Sequence, residues 1–335
     1  MTGFDPEFRD LDHYIRAITE RIWTDGRIAD IARYYAADCV VETPGGVTRG
    51  ADAVIAGTRA TLAMFPDRRL LAEEVIVSGD AARGFHSSHR ILSPMTHAGA
   101  GAFGAPSGRP VHVRTIADCV CRDNRIVHEW LVRDQAAIAH QVGCAPRALA
   151  QAWLDAGIAP GGAAATVAPP PYRNAICADP AAQDYAAALR ATWDDAGPRA
   201  LDASHARTVI AALPGGAMAV GRAAVAGYWD GMRAAFPDAR LTVEHLVAAP
   251  RPGRTALALR WRLAGRHGGS GRFGAASGRP VRILGIAHAE AGAGGIEREW
   301  ILVDEIAIWM QLLDPARDAA TGPESSISTT MEETP

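Results

Sequence analysis

Phe103 to Val142 reads FGAPSGRPVHVRTIADCVCRDNRIVHEWLVRDQAAIAHQV, and Phe273 to Leu312 reads FGAASGRPVRILGIAHAEAGAGGIEREWILVDEIAIWMQL. The second stretch follows the first at an offset of 170 with no gap, and 17 of the 40 positions are identical. Ser107/Ser277, Gly108/Gly278, Arg109/Arg279, Pro110/Pro280, Glu129/Glu299, Trp130/Trp300 and Asp134/Asp304 are among them. Chance leaves only a few such matches, so the chain contains an internal duplication. The period is far too long for a solenoid and fits one domain per copy.

The repeat extends towards the N-terminus. Phe65-Pro66-Asp67 pairs with Phe236-Pro237-Asp238 at 171, Pro44-Gly45-Gly46 with Pro214-Gly215-Gly216 at 170, and Trp23 with Trp193 at 170. Two units are expected, 8–142 and 179–313. Between them lies a linker, 143–178, that holds a short helix over 147–156 and the Pro/Gly/Ala-rich run GIAPGGAAATVAPPP, Gly157 to Pro171. The polar, acidic tail from 314 to 335 is expected to be disordered.

Each unit reads as helices first and strands afterwards. Leu11, Tyr14, Ile15, Ile18 and Ile22 form an apolar stripe at helical spacing, and Asp25-Gly26 ends that helix. A second short helix is expected over 28–36, a strand over 39–43 and a third helix over 51–64. Strands follow over 69–78 and 82–92, then a Gly/Ala/Pro-rich loop over 93–110. A hairpin over 111–133 turns on Asp123-Asn124. This order implies α+β, with helices packed on one face of a curved antiparallel sheet.

Composition supports two ordinary cores and excludes several classes of function. The 335 residues are 48% hydrophobic and 21% charged, with a net charge of −3 and no basic run for tracking phosphates. No nucleic-acid partner is expected. No run approaches the ~18 apolar residues of a membrane helix. Five cysteines, an odd number without zinc spacing, fit free thiols in a reducing cytoplasm. The N-terminal MTGFDPEFRDLDHY does not read as a signal peptide.

The first unit also contains His97-Ala-Gly, Phe103-Gly-Ala-Pro-Ser-Gly-Arg-Pro-Val111, Ile116-Ala-Asp118, Asn124-Arg-Ile-Val-His-Glu-Trp130 and Asp134. The second contains His267-Gly-Gly, Phe273 to Val281, Ile286-Ala-His288, Gly295 to Trp300 and Asp304. These segments resemble the SnoaL-like polyketide cyclases, or ester cyclases, of the NTF2-like superfamily. That pattern has a His-x-Gly, then FxGxPxTGRxV, an acidic strand residue and GRIxEHWxxxD. The resemblance implies two cone-shaped α+β barrels in tandem. It also implies a ring closure by intramolecular aldol chemistry that needs no metal or organic cofactor. The family's acid/base falls on Asp118, with His97 as a second polar group at the pocket. In the second unit His288 replaces the acid and His267 matches His97. That copy uses imidazole chemistry, acts on another substrate or has lost activity.

Strand alternation gives an independent reading. His112, Arg114, Ile116, Asp118 and Val120 share one face, and Val113, Thr115, Ala117, Cys119 and Cys121 the other. An acid in mid-strand among apolar neighbours is desolvated, which raises its pKa into a general-base range. His97 or His89 would donate to the developing enolate. With His89, the residues Trp130, Trp300 and Arg114 are expected around the pocket. Asp134 and Asp304 read as helix N-caps. The expected ligand is an apolar, carbonyl-containing small molecule. Three classes stay open: a cyclase or isomerase; a lyase, dehydratase or hydrolase; and a non-catalytic binding module. The tandem implies an intrachain pseudo-dimer with facing sheets, and leaves further homo-oligomerisation open.

Overall fold

The computed structural model describes residues 1–162, 165–194 and 196–318. In the first unit α1 (Leu11–Thr19) runs into a π turn (Glu20–Thr24) and a 3-10 turn (Ile28–Asp30). There follow α2 (Ile31–Tyr34), β1 (Tyr35–Thr43), β2 (Gly46–Arg49), α3 (Ala51–Met64), β3 (Leu71–Asp80), β4 (Gly84–Thr96), β5 (Pro110–Arg122), β6 (Arg125–Arg133) and α4 (Gln135–Val142). The connection holds α5 (Pro146–Asp155). The second unit comprises α6 (Pro180–Ala191), β7 (His205–Leu213), β8 (Ala217–Val220), α7 (Arg222–Ala235), β9 (Arg240–Arg251), β10 (Arg254–Arg266), β11 (Pro280–Gly292), β12 (Gly295–Leu302) and α8 (Glu305–Leu313). Pro315–Asp318 form a 3-10 turn where disorder was expected to begin. The rest of that tail lies outside the described residues.

Local chemistry accounts for the main boundaries. Asp10 caps α1 by accepting from the His13 N–H at 2.8 Å, and the helix buries Leu11, Tyr14, Ile15 and Ile18. Asp123 and Asn124 both take positive φ, 49° and 64°, as a two-residue type I′ hairpin requires. The helix expected over 28–36 is cut short. From Tyr35 the chain pairs with β6 in parallel, Tyr35 opposite Ile126, and this pairing overrides local helical preference. The short strand β2, unforeseen in the sequence, folds back on β1 through the Pro44-Gly45 turn.

The strands form two six-stranded sheets, ordered β2-β1-β6-β5-β4-β3 and β8-β7-β12-β11-β10-β9. Among the strands of the described residues, only β1–β6 and β7–β12 pair in parallel. Each sheet carries its own helices on one face. The opposite faces of the two sheets meet, burying Ile116, Val120, Trp130 and Val132 against Leu284, Ile286 and Leu302. At the sheet margin Ile76 joins Val247 and Ala249. Around one end Ile138 and Leu149 pack with Ile306 and Met310, so α4, α5 and α8 share a core. Among the described residues no helix is long and apolar enough to cross a membrane.

Charges are buried where the sheets meet. The Asp118 carboxylate accepts from Arg260 Nη1 at 2.7 Å, and both side chains are almost fully enclosed. Arg260 stacks 3.5 Å over the Trp130 ring, and its duplicate Arg90 stacks 3.5 Å over Trp300. Glu244 lies 3.3 Å from Arg260 and Glu73 3.1 Å from Arg90, which completes the pseudo-twofold. Removing one partner of such a pair strands a charge away from water, at a cost of about 3–5 kcal/mol. Arg260→Met should therefore lower the thermal midpoint by many degrees. Arg114→Ala, which breaks a partly exposed pair with Glu73, should cost within about 1 kcal/mol. Equal midpoints for the two variants would show that the buried pair does not join the sheets.

Candidate active site

A cavity of about 340 Å³ lies between the helices and the first sheet. Ile15 and Ile18 of α1, Val54 and Thr58 of α3, and Ile91 and Leu131 of the sheet give it apolar walls. The inward positions of the strands bring the polar groups. These are His89 on β4, Thr115 on β5, and Glu129 and Arg133 on β6, with Gln135 just beyond. The second unit supplies part of the wall through Asp304, Ala307 and Met310.

Of the two acids that line this cavity, Asp304 caps a helix and Glu129 stands on the sheet. Glu129 Oε2 accepts from the Tyr35 hydroxyl at 3.0 Å. Burial pushes its carboxyl up to about 7, against the opposing effects of that hydrogen bond and of the Arg133 charge. Burial, then the neighbouring Glu129 charge, raises the Tyr35 phenol well above its ordinary value, so it stays protonated as a donor. His89 is pushed down to about 3, first by burial and then by the charges of Arg16 and Arg90, so its ring is neutral at physiological pH. Burial also lowers the Arg133 guanidinium. His89 Nε2, Thr115 Oγ1, Arg133 Nε and Gln135 Oε1 are buried without a hydrogen-bond partner among the described residues. Orphaned polar atoms are costly in a closed core. Their concentration on one cavity marks it as a place for a polar ligand group.

The two helix-capping acids lie near one another where the units meet, and Asp304 lines the cavity. Asp134 accepts from the Ala137 N–H at 3.0 Å and reaches across to Gly215 and Gly216 of the second unit, at 2.9 Å each. Asp304 accepts from Ile306 and Ala307 at 3.0 and 3.2 Å. Burial raises them to about 6 and about 7 respectively.

The matching space in the second unit is filled. Trp229 stands where the first unit has Thr58, and Trp261 where it has Ile91. The two indoles meet edge to face with centroids 5.9 Å apart, and both are fully buried. Gly285, the counterpart of Thr115, is required there: a Cβ would lie 2.2 Å from Trp261 Cζ2. Glu299 is retained but enclosed, accepting from Tyr185 Oη at 2.5 Å, with His205 Nε2 at 3.4 Å.

Most of the site residues expected from the sequence lie elsewhere. Asp118 faces the second sheet, away from the cavity. Burial alone would raise its carboxyl, but His86 and the Arg260 guanidinium hold it below the usual carboxylate range, which makes a weak base. Its Oδ1 also accepts from Ser88 Oγ at 2.5 Å. His288 is at the same interface. Arg90 can only donate to its Nδ1, at 3.3 Å, so Nε2 carries the hydrogen and gives it to Ser88 at 2.8 Å. Trp130 and Trp300 lie under the two interfacial arginines. Arg114 is spent on Glu73 at 3.0 Å. Side chains alternate along β5 as the sequence implies, and the Asp118 face is the one that meets the other sheet.

His97 and His267 are buried clasps of the Gly/Ala loops. Each ring Nδ1 lies 3.1 Å from the hydroxyl of Ser107 or Ser277, and neither histidine lines the cavity. His89 does line it. Glu129 was missed, although two signals pointed to it. It recurs as Glu299. Moreover, the family pattern has Glu-His-Trp where this chain has His128-Glu129-Trp130, and a one-residue transposition in a strand moves a carboxylate to the other face.

The model of the family described as SnoaL-like polyketide cyclase matches residues 13–142 and 183–312. No curated protein matches. Among solved structures, wild-type IdmH from Streptomyces antibioticus is 23% identical with a TM-score of 0.35, the match covering 39% of this chain and 97% of that one. TsrD from Streptomyces laurentii is 18% identical with a TM-score of 0.36, covering 42% and 98%. A SnoaL-like polyketide cyclase from Agrobacterium tumefaciens is 20% identical with a TM-score of 0.33, covering 40% and 99%. Since the family model accounts for both halves of the duplication, the chain belongs to the SnoaL-like polyketide cyclase family and carries its α+β domain twice.

Proposed function

We propose that this protein catalyses proton abstraction next to a carbonyl, leading to ring closure or isomerisation of an apolar small molecule in the cavity of the first unit. The observation that carries this reading is Glu129: a buried carboxyl pushed up to about 7, in a cavity where His89 Nε2, Thr115 Oγ1, Arg133 Nε and Gln135 Oε1 have no hydrogen-bond partner among the described residues. A general base works best when its pKa lies near the operating pH. Glu129 takes the α-proton, and the C–H electron pair becomes the enolate. The negative charge falls on the substrate oxygen, where neutral His89 or Arg133 donates to it. The enolate carbon forms a bond to a second carbonyl, and the resulting alkoxide recovers the proton from the Glu129 acid. Family membership supports cyclase-type chemistry, and the five free cysteines suit a reducing cytoplasm.

Asp118 is the alternative base. Its ion pair with Arg260 and its enclosure between the sheets argue for an architectural role instead. Exchange of α-protons from β-keto esters and cyclic ketones in heavy water, followed by NMR, separates the two. Glu129→Gln should lose exchange by at least ~100-fold, the general-base contribution. In Asp118→Asn, protein that remains folded should keep it. The reverse pattern sinks the assignment. No exchange in any form, with ligand still bound, would favour the binding module.

The reading fixes the pH dependence. The ionised base is needed, so kcat/KM should rise through pH ~7 to a plateau. The folded carboxyl is raised above its unfolded value, so burying its charge destabilises the fold increasingly from about pH 4.5 to 7, and by a constant amount above that. Glu129→Gln should therefore be inactive yet more stable than wild type at pH 8, by about 1–3 kcal/mol. A variant less stable at pH 8 would show that the charge is not stored as strain.

Thr58→Trp copies into the first unit the residue that fills the second. It should remove ligand binding and activity. Its cost in stability should be about 1–3 kcal/mol, the usual range for overpacking. Retained activity would place the chemistry outside this cavity.

A further inference from the structure

His86 is fully buried on β4, yet neither ring nitrogen has a hydrogen-bond partner among the described residues. Its Nε2 lies 3.6 Å from Asp118 Oδ2. That is too long for a hydrogen bond. It is close to the separation of about 3.3–3.5 Å between two ligand atoms on one tetrahedral ion with bonds of ~2.0–2.1 Å. His245, from the other unit, packs its ring 3.9 Å from that of His86, centroid to centroid. One donor atom from each of His86, Asp118 and His245 lies within 4.8 Å of the other two, and all three residues are buried. From these positions we propose that His86, His245 and Asp118 form a binding site for a divalent transition-metal ion of the zinc class, bridging the two units.

The donor set suits such an ion: two imidazoles and one carboxylate leave a fourth position open. Tyr172 Oη, 2.9 Å from His245 Nε2, fixes the orientation of that ring, as outer-shell partners of ligating histidines do. Arg260 also holds Asp118 Oδ2, but its charge is balanced by Glu244, and a carboxylate oxygen has a second lone pair to offer. The duplication does not explain the cluster. Alignment puts Ala256, Glu74 and His288 at the positions equivalent to His86, His245 and Asp118. Glu74 is instead engaged by Arg251 at 2.9 Å. The three donors were thus assembled between the units, on the sheet face opposite Glu129. The site does not depend on the acid–base reading.

The test uses full-length protein without a histidine tag, stripped with chelator and reloaded with Zn²⁺ or Co²⁺. Elemental analysis should find one Zn²⁺ per chain, and Co²⁺ should give visible absorption. Zn²⁺ should raise the thermal midpoint reversibly with chelator. His86→Phe keeps the volume and removes the nitrogens, and should weaken binding by more than about 100-fold, beyond the loss of an outer-shell partner. His112→Ala, which removes an exposed histidine, should bind like wild type. Uptake that is substoichiometric, or unchanged in His86→Phe, overturns the site. Should that variant fail to fold, a wild-type midpoint indifferent to Zn²⁺ and chelator overturns it alone.

Discussion

The ion pair of Asp118 with Arg260 sets the terms for the rest of the molecule. Two charges between packed sheets are tolerated only when the geometry is good and further hydrogen bonds engage them. Here Ser88 takes the second carboxylate oxygen, and Glu244, Asn174 and the Trp130 face take the remainder of the guanidinium. The arrangement depends on duplication and fusion. In a symmetric pair of identical chains, a residue near the twofold faces its own copy. Asp118 and its duplicate position both reach Ser88. Two carboxylates there would compete for one proton. Fusion lets the positions differ, and the chain has Asp118 opposite His288 and Ser88 where its counterpart is Ala258.

The same freedom divides labour between the two cones. The second is filled by Trp229 and Trp261, with Gly285 yielding the space, and both indoles belong to one large buried cluster. The first keeps a cavity holding an acid, a guanidinium and an imidazole with incomplete partners. Such a cavity destabilises, since packing is lost and charges are desolvated. The filled unit offsets this through the sheet contact and through α8, which walls the cavity with Asp304, Ala307 and Met310. This is the familiar opposition between stability and function, distributed over two copies of one fold.

How much of this the sequence discloses depends on which physical signal it leaves. Asp123-Asn124 announces a hairpin because few residues accept two positive φ angles in succession, and the 170-residue repeat announces two units. The facing of β5 leaves no such mark. An exposed sheet face would have been polar and would have labelled the cavity side by contrast. Here Ile116 and Val120 are buried in the second sheet, while Ala117, Cys119 and Cys121 are buried under the helices. Both faces are apolar, and alternation alone cannot tell them apart. His97 was hidden for a different reason. A Gly/Ala loop looks exposed in sequence, but Phe65 and Phe103 close over the ring.

The strand β6 ties these parts together. Trp130 points to the interface and lies under Arg260, while Glu129 and Leu131 on either side of it point into the cavity. The strand then ends in Asp134, which is bonded to the N–H groups of Gly215 and Gly216 in the other unit. A slip of one residue would exchange the two faces and expel the Glu129 carboxylate from the cavity. Because β6 is held from both faces and at its end, that slip would break the arginine stack, the cap and the cavity wall at once. A carboxyl pushed up to about 7 by burial needs a dry and invariant setting. The interface, on the other face of the sheet, provides that setting by denying β6 any other register.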